Sequence, residues 1–525
     1  MKKILLTFVA AAFAVAGFSQ PAVKWTGSIQ AHEESVGIND WNIFSPISAA
    51  EDGSVYMTGS FDQDLTIGSD VLDHTGMSSF LARYSNTGEA LWAVSFNGAA
   101  AVTAISSFDD GVVLAGVFAG DVILGSKDGN TRTISGMADN DNAVSAFILR
   151  YDANGNLKAV KAIVPEINID LQMEALMSDI MYFPEPMDTY ILPNQIEKAG
   201  DSIYVSVSYT SIEKISDNLT LTGKVLNVWD FMYMDITSAA IISFDLNLTD
   251  AALVYDVATA DADHIGYMQM QPESLRFAVS NGKVYAAGSG FGSLEVTGQK
   301  SGIMKFDIDD FGNIENGMFI IDPENGIKEF HATPTDRMNT DSEINYISVK
   351  DNIMRLVGTY SACLPFDNTK TESSYNETFV AMYDLNSQTV RHALTSGTEK
   401  GENELEIVTG AKFEENTTWV TTVVFCDKYD NQSIVKGISL NASDAGITAN
   451  SNSIITAMDG KVANDFYAVS AKDGAYTISL MYDDPASVNR IKAEDGIVRK
   501  ELVGGRIFLV KNGIRYNLLG VEQQY

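Results

Sequence analysis

One short pattern, written again and again, constrains this chain more than any other feature. It is an apolar β-run, an aromatic residue followed by a small polar one, a turn, and a second β-run. "FLARYSNTGEALWAV" spans Phe80 to Val94, "FILRYDANGNLKAV" Phe147 to Val160, and "GIMKFDIDDFGNIENG" Gly302 to Gly317. A second anchor precedes each copy, a Gly, Asn or Asp turn leading into a β-run: "DGSVYMTGSF" (52–61), "DGVVLAGVF" (110–118), "GDSIYVSVSY" (200–209), "NGKVYAAGSGF" (281–291), "DNIMRLVGTY" (351–360) and "NTTWVTTVVF" (416–425). These are followed in turn by "FLARYSNTG", "FILRYDANG", "AIISFDLNL", "GIMKFDIDD", "FVAMYDLNS" and "IVKGISLNA", and "DFYAVSAKDGAYTISLMYDDP" (465–485) reads as a degenerate last copy.

Successive copies lie about 55 to 90 residues apart, room for one four-stranded antiparallel sheet and its loops. A sheet that small cannot bury both faces alone, so its repetition implies a propeller or a related array. Asn and Gly accept the positive φ of tight hairpins, so "YDANGN" reads as the hairpin between the third and fourth strands of a blade. By the same reading "DIDDFGNIE" (307–315) fills that slot in its own copy. The segment "AVKWTGSIQ" (22–30) reads like the fourth strand "ALWAVSF" (90–96), with no third-strand copy before it. It is expected to supply the outer strand of the last blade, closing the ring and removing an open edge. The expected fold is all-β, a β-propeller of seven blades, with six as the alternative.

"VYMTGSFDQDLTIGSDVLDHTGMSSFLARYSNTGEALWAVSF" (55–96) resembles the bacterial seven-bladed β-propeller repeat (SBBP-like), a G-x-F strand, a loop, then F-x-A-K-Y-D-x-N-G-x-x-x-W. Residues 98–162 match more loosely, and later copies more loosely still. The resemblance implies a secreted or surface propeller and carries no shared catalytic residues.

The N-terminus, "MKKILLTFVAAAFAVAGFSQPAVKW", has two lysines, an apolar stretch from Ile4 to Val15 and then small residues, the plan of a secretory signal peptide. Cleavage is expected after Ala16 or Ser19. The expected organisation is a signal peptide over 1–19, a propeller over 20–489 and a C-terminal hairpin or tail over 490–525. No later apolar run is long enough for a transmembrane helix, and the expected location is the periplasm, the cell surface or outside the cell. In the tail, two β-runs around Lys511-Asn512-Gly513 read as a hairpin. "GRIFLVKNGIRYNLLG" resembles the endings of proteins exported by type IX systems, which implies a sorting element; docking of the hairpin on the last blade is the other reading.

The net charge is −34, and the tail from Arg490 onward, with seven basic and four acidic residues, opposes it. An acidic body repels phosphate backbones and anionic lipid, which argues against nucleic-acid or direct membrane binding. Only Cys363 and Cys426 are present, each ending a β-rich run. On equivalent strands of neighbouring repeats they would form a disulfide in an oxidising compartment; two buried thiols are the equal alternative.

Motifs for chemistry are scarce. His32, His74, His264, His331 and His392 are scattered, with no metal-binding spacing. There is no G-x-S-x-G and no phosphate loop. "TGEALW" (87–92) resembles a quinone-type propeller repeat but occurs once. "DIDDFGNIE" has Asp307, Asp309 and Gly312 at calcium-loop positions, but Phe311 and Met318 stand where ligands belong. No cofactor and no metal are expected.

Eight methionines fall in three stretches, "LQMEALMSDIMYFPEPM" (171–187), "VWDFMYMD" (228–235) and "HIGYMQMQ" (264–271). All three connect strands on one face around the third blade. Met173, Leu176, Met177, Ile180 and Met181 have helical spacing, so the first reads as a short amphipathic helix. Met173, Met177, Met181, Tyr182, Phe183, Trp229, Phe231, Tyr233, Met268 and Met270 are therefore the candidate binding residues; a cap of loops packed on one another is the structural alternative. The function expected is that of an exported, monomeric, non-enzymatic propeller binding a protein or glycan. A glycan hydrolase or lyase with a carboxylate pair at the central channel is the second reading.

Overall fold

In the computed structural model the residues described are 22–32, 46–137, 143–166, 189–210, 212–228, 232–260, 272–306, 317–331, 341–361, 363–366, 369–370, 377–395, 404–414, 417–426, 432–439, 449–451, 454–462, 465–472, 474–482, 499–503, 506–511 and 514–516. They form two compact units, Ala22–Tyr482 and the termini outside it. In the second unit Arg499–Val503, Arg506–Lys511 and Ile514–Tyr516 make a three-stranded sheet. Its pairing of Lys511 with Ile514 is the hairpin expected there.

The larger unit is a β-propeller built of successive four-stranded antiparallel meanders. The first runs Ile47–Ala49, Val55–Phe61, Ser78–Tyr84 and residues 90–97, and the second residues 99–108, residues 111–119, Ala143–Asp152 and Leu157–Ile163. The third is Thr189–Ala199, Ser202–Tyr209, Ser238–Asp245 and Ala251–Thr259; the fourth Pro272–Ser280, Lys283–Gly290, Gly317–Asp322 and Gly326–Phe330. The fifth is Asp341–Lys350, Ile353–Ser361, Glu377–Asp384 and Thr389–Thr395; the sixth Glu404–Phe413, Thr417–Cys426, Gln432–Ser439 and Ala449–Ser451. In the last, Ile454–Asp459, Asp465–Lys472 and Ala475–Tyr482 come from the chain's end, and the outer strand is Ala22–Gln30, paired with Ala475–Tyr482. The first two strands of a meander are joined by tight turns. Asn281 and Gly282, at φ 52° and 71°, and Asp351 and Asn352, at 52° and 62°, show the paired positive φ of the favoured two-residue hairpin.

The core lies between sheets. Phe61, Phe80 and Tyr84 of the first sheet pack with Tyr467, Tyr476 and Ile478 of the last. Tyr56 and Trp92 pack with Phe147 and Tyr151 of the second, and the same facing continues through the third, fourth, fifth and sixth. Trp419 of the sixth stacks on Phe466 of the last, ring centroids 5.6 Å apart.

This packing explains the repeated motif. Trp92, on the outer strand of the first sheet, donates its indole N–H to the Ala153 carbonyl at 2.9 Å, in the third-to-fourth turn of the second. Gly155 of that turn has φ +81°, and a Cβ there would lie 2.8 Å from the Trp92 ring. Trp25, on the N-terminal strand, does the same to the first sheet: its N–H reaches the Asn86 carbonyl at 3.0 Å. Gly88, at φ +86°, lies beneath its ring. The Trp of one unit and the N-G or T-G of the next are thus two halves of one joint.

Three of the outer edges are covered. The connection from second to third strand in the fourth sheet forms a hairpin, Gly292–Gly298 with Gly302–Phe306, that pairs with the outer strand of the third sheet. Residues 121–124 extend the first sheet in the same way through Phe96 and Asn97. Ile212–Lys214 pairs with Pro165–Glu166, just beyond the outer strand of the second sheet. An unpaired edge is a template for aggregation, and each of these borrowed hairpins removes one.

That device corrects one expectation. "GIMKFDIDD" is not the third strand and hairpin of the fourth sheet: Gly302–Phe306 pairs only within the edge hairpin. The third strand is Gly317–Asp322, and the turn after it is "DPENG", where Asp322 accepts the Glu324 N–H at 2.8 Å. Residues 307–316, with the calcium-loop resemblance, lie outside the described residues.

Trp25→Ala should cost about 2 to 3 kcal/mol, given the lost ring burial and hydrogen bond. Gly88→Ala and Gly155→Ala should each cost about 1 to 3 kcal/mol. Gly76→Ala, at φ +64° with open space around it, should cost less than either. Urea unfolding of the four variants checks the order.

Candidate functional site

The first strands of several sheets carry polar groups that meet other sheets. Several of these strands contain a one-residue bulge, at Thr103, Asn194, Asn345, Thr409 and Thr456. A bulge strands backbone groups and re-aims neighbouring side chains. Here Thr103, Thr409 and Thr456 each turn the hydroxyl onto a carbonyl of the second strand, on Ala115, Thr421 and Val469, at 3.3 to 3.5 Å. Thr103 Oγ1 also donates to the Pro193 carbonyl of the third sheet at 2.6 Å.

Further bonds run from sheet to sheet at this level. Gln195 brackets Phe277 of the fourth sheet, accepting its N–H at 3.0 Å and donating to its carbonyl at 2.7 Å. Arg276 donates to the Asn194 carbonyl at 2.6 Å, and the Tyr346 hydroxyl to the Thr409 carbonyl at 3.1 Å.

Three residues past three of the bulges stand Glu197, Lys412 and Asp459. Lys412 is buried, and its ammonium is held by Glu414 at 2.6 Å and by the carbonyls of Val462 and Asp465 at 2.8 and 2.7 Å. Asp459 accepts the Ala49 N–H of the first sheet on Oδ2 and the Gly460 N–H on Oδ1, both at 2.8 Å. Burial raises its carboxyl, against those two bonds and the charges of Lys461 and Lys412. Glu197 is half-buried, and burial pushes its carboxyl up to about 7; the charge of Lys461 and a bond from the Val279 N–H pull the other way without prevailing. Burial likewise pushes Tyr346 up to about 12, while Arg276 lowers it and Asp459 raises it.

Lys461, in the last sheet, acts on Glu197 in the third, and Asp459, in the last, on Tyr346 in the fifth. These sheets are not neighbours along the chain. Their charges act on one another across sheets all the same.

The residues proposed from sequence fall elsewhere. Met173, Met177, Met181, Tyr182, Phe183, Trp229, Phe231, Met268 and Met270 lie outside the described residues, as does the segment read as a helix. Tyr233 is described through its backbone, on Met232–Ile236, where it pairs with Asn227. Cys363 is buried beside Leu364, and the Cys426 side chain is outside the described set. Glu197, Asp459, Lys461, Arg276 and Tyr346 were not singled out in the sequence. For Glu197, Asp459 and Tyr346 the signal, a Thr or Asn one to three residues upstream in a first strand, emerges only once the first strands are superposed; Arg276 and Lys461 carry none. Among the described residues no group of three or more His, Cys, Asp or Glu is placed to hold a metal ion, and no helix is long and apolar enough to cross a membrane.

No protein-family model matches the chain, and no curated protein matches it in sequence. Among solved structures it is similar to the Dos1 propeller, at 11% identity and a TM-score of 0.40 over 87% of this chain and 95% of that one. The Neurospora crassa Pan2 WD40 domain follows at 9% and 0.32, over 86% and 95%. The parainfluenza virus 5 hemagglutinin-neuraminidase with the ligand DANA stands at 8% and 0.32, over 88% and 94%. The strand pairing described above is what defines the propeller.

A glutamate whose folded value exceeds its unfolded one makes the native state hold a proton that the unfolded chain releases. Stability should therefore be full below about 4.5, decline as pH rises towards about 7, and level off above. Glu197→Gln should flatten part of that decline; the raised Asp459 supplies the same sign and keeps the rest. Thermal melts of both proteins from pH 4 to 8 measure it.

Proposed function

We propose that the chain is an exported, non-enzymatic propeller whose seven sheets close into a ring. It presents a loop face to a protein or glycan in the periplasm, at the outer membrane or at the cell surface. The observation that carries the non-enzymatic reading is the use of the axial carboxylates. Both oxygens of Asp459 accept backbone N–H groups, and Glu197 holds Val279 of the next sheet. A glycosidase needs two carboxyl groups free to take roles as acid and as base or nucleophile. Asp459 is committed on both oxygens, and its Oδ2 joins the last sheet to the first.

Export is supported by the signal-peptide pattern of residues 1–19 and the acidic composition, and the working face by the methionine and aromatic content of the three loop stretches. The second reading, a glycan hydrolase or lyase, is favoured by no described residue but remains the one that a turnover assay addresses directly.

The mature chain, Gln20 to Tyr525, should capture a defined ligand on a glycan array or in a surface pull-down, and the Met173/Met177/Met181→Ser variant should lose it. Capture that survives in the variant would move the site away from these loops. Release of reducing or unsaturated sugar from an array hit would establish the enzyme reading instead.

A further inference from the structure

The three strands at the chain's end make a sheet of one layer. Arg499–Val503 pairs with Arg506–Lys511, which pairs with Ile514–Tyr516, and no other described strand joins them. They are all that is described of their unit. Residues paired across a ladder share a face, and successive residues of a strand alternate between faces. The register therefore puts Leu502, Ile507, Leu509, Ile514 and Tyr516 on one face. Lys500 and Lys511 share that face, the first on an edge strand opposite Leu509 and the second at the end of the central strand. Arg499, Arg506 and Arg515 fall on the other face, around Phe508 and Val510.

A one-layer sheet with an apolar face is stable when a second body covers that face. The charge says what kind of body. From Arg499 to Tyr516 five of the six charged residues are basic, in a chain whose net charge is −34. A body that fits is anionic where it meets the sheet and apolar just beneath. A bilayer with acidic headgroups has both properties: basic side chains reach the headgroups, while apolar residues and tyrosine enter the boundary below them. A nucleic acid would answer the charge and leave the apolar face uncovered. We propose that this terminal sheet docks on an anionic lipid surface and so tethers the chain to it. The acidic composition of the remainder argues against lipid binding by the propeller and not by this sheet. At physiological salt a charge is felt over only about 8 Å, so the surface that meets the lipid counts and not the total. The inference adds a partner to the function proposed above and does not rest on it.

Co-sedimentation of the full mature chain with lipid vesicles tests this. Phosphatidylcholine vesicles that contain phosphatidylglycerol should carry the chain down, phosphatidylcholine alone should not, and added salt should release it. Arg506→Gln/Arg515→Gln removes two charges and leaves the apolar face intact. It should weaken binding roughly thirtyfold, each basic residue near such a surface counting about fivefold. Lys300→Gln/Lys350→Gln makes the same change of net charge within the propeller and should bind as the wild type does. Tyr516→Ser, at the end of an edge strand, should weaken binding through the apolar face. No sedimentation with the anionic vesicles, equal sedimentation with both lipids, or equal losses in the two double variants would each overturn the proposal. So would a surface partner or a self-association, seen without vesicles, that Arg506→Gln/Arg515→Gln and Tyr516→Ser both abolish, since a protein would then cover the face.

Discussion

A four-stranded sheet of this size has two apolar faces and only one layer of its own, so it is stable only between two others. Every large feature of the protein follows from that. The buried residues gather between sheets, where Tyr56 and Trp92 of one meet Phe147 and Tyr151 of the next. Among the described residues no sheet has a core to itself. The last sheet, made of three strands from the chain's end and one from its beginning, faces the first through Tyr467, Tyr476 and Phe80.

The face-to-face packing leaves two problems that the chain solves with repeated devices. The joint between sheets must have a defined register, which the indole of Trp92 or Trp25 sets by bonding a turn carbonyl while a glycine lies flat beneath the ring. The outer strand of the third sheet would otherwise expose its hydrogen-bonding edge, and a hairpin from the fourth sheet pairs with it. Polar groups of several first strands meet neighbouring sheets. Thr103, Arg276 and Tyr346 are matched to carbonyls of the neighbouring sheets and Asp459 to an N–H of the first, while burial raises the Glu197 and Asp459 carboxyls.

Much of this was legible in the residues. Alternating β-runs, the N-G turns and the likeness of "AVKWTGSIQ" to "ALWAVSF" led to a propeller whose N-terminal strand joins the last sheet, and Ala22–Gln30 does pair with Ala475–Tyr482. The error at "GIMKFDIDD" has a physical cause. An edge hairpin is also an apolar β-run with an aromatic end, and only hydrogen-bonding partners distinguish it from a blade strand. The true turn, "DPENG", carried the Asp and the N-G but interposed Pro and Glu. The axial residues were illegible for a different reason: Glu197, Lys461 and Asp459 lie far apart in the chain and share no motif.

The sequence by itself determined the class of fold and the unit that repeats, because strand periodicity and positive-φ turns are local properties of adjacent residues. It also pointed to where Ala22–Gln30 belongs, since "AVKWTGSIQ" reads like the outer strand "ALWAVSF" with no third-strand copy before it. Only the tertiary structure decided which hairpins leave their own sheet to cover a neighbour's edge, and which charges from distant sheets meet. Those outcomes depend on burial and on pairing between segments tens to hundreds of residues apart, and no local pattern encodes the distance between them.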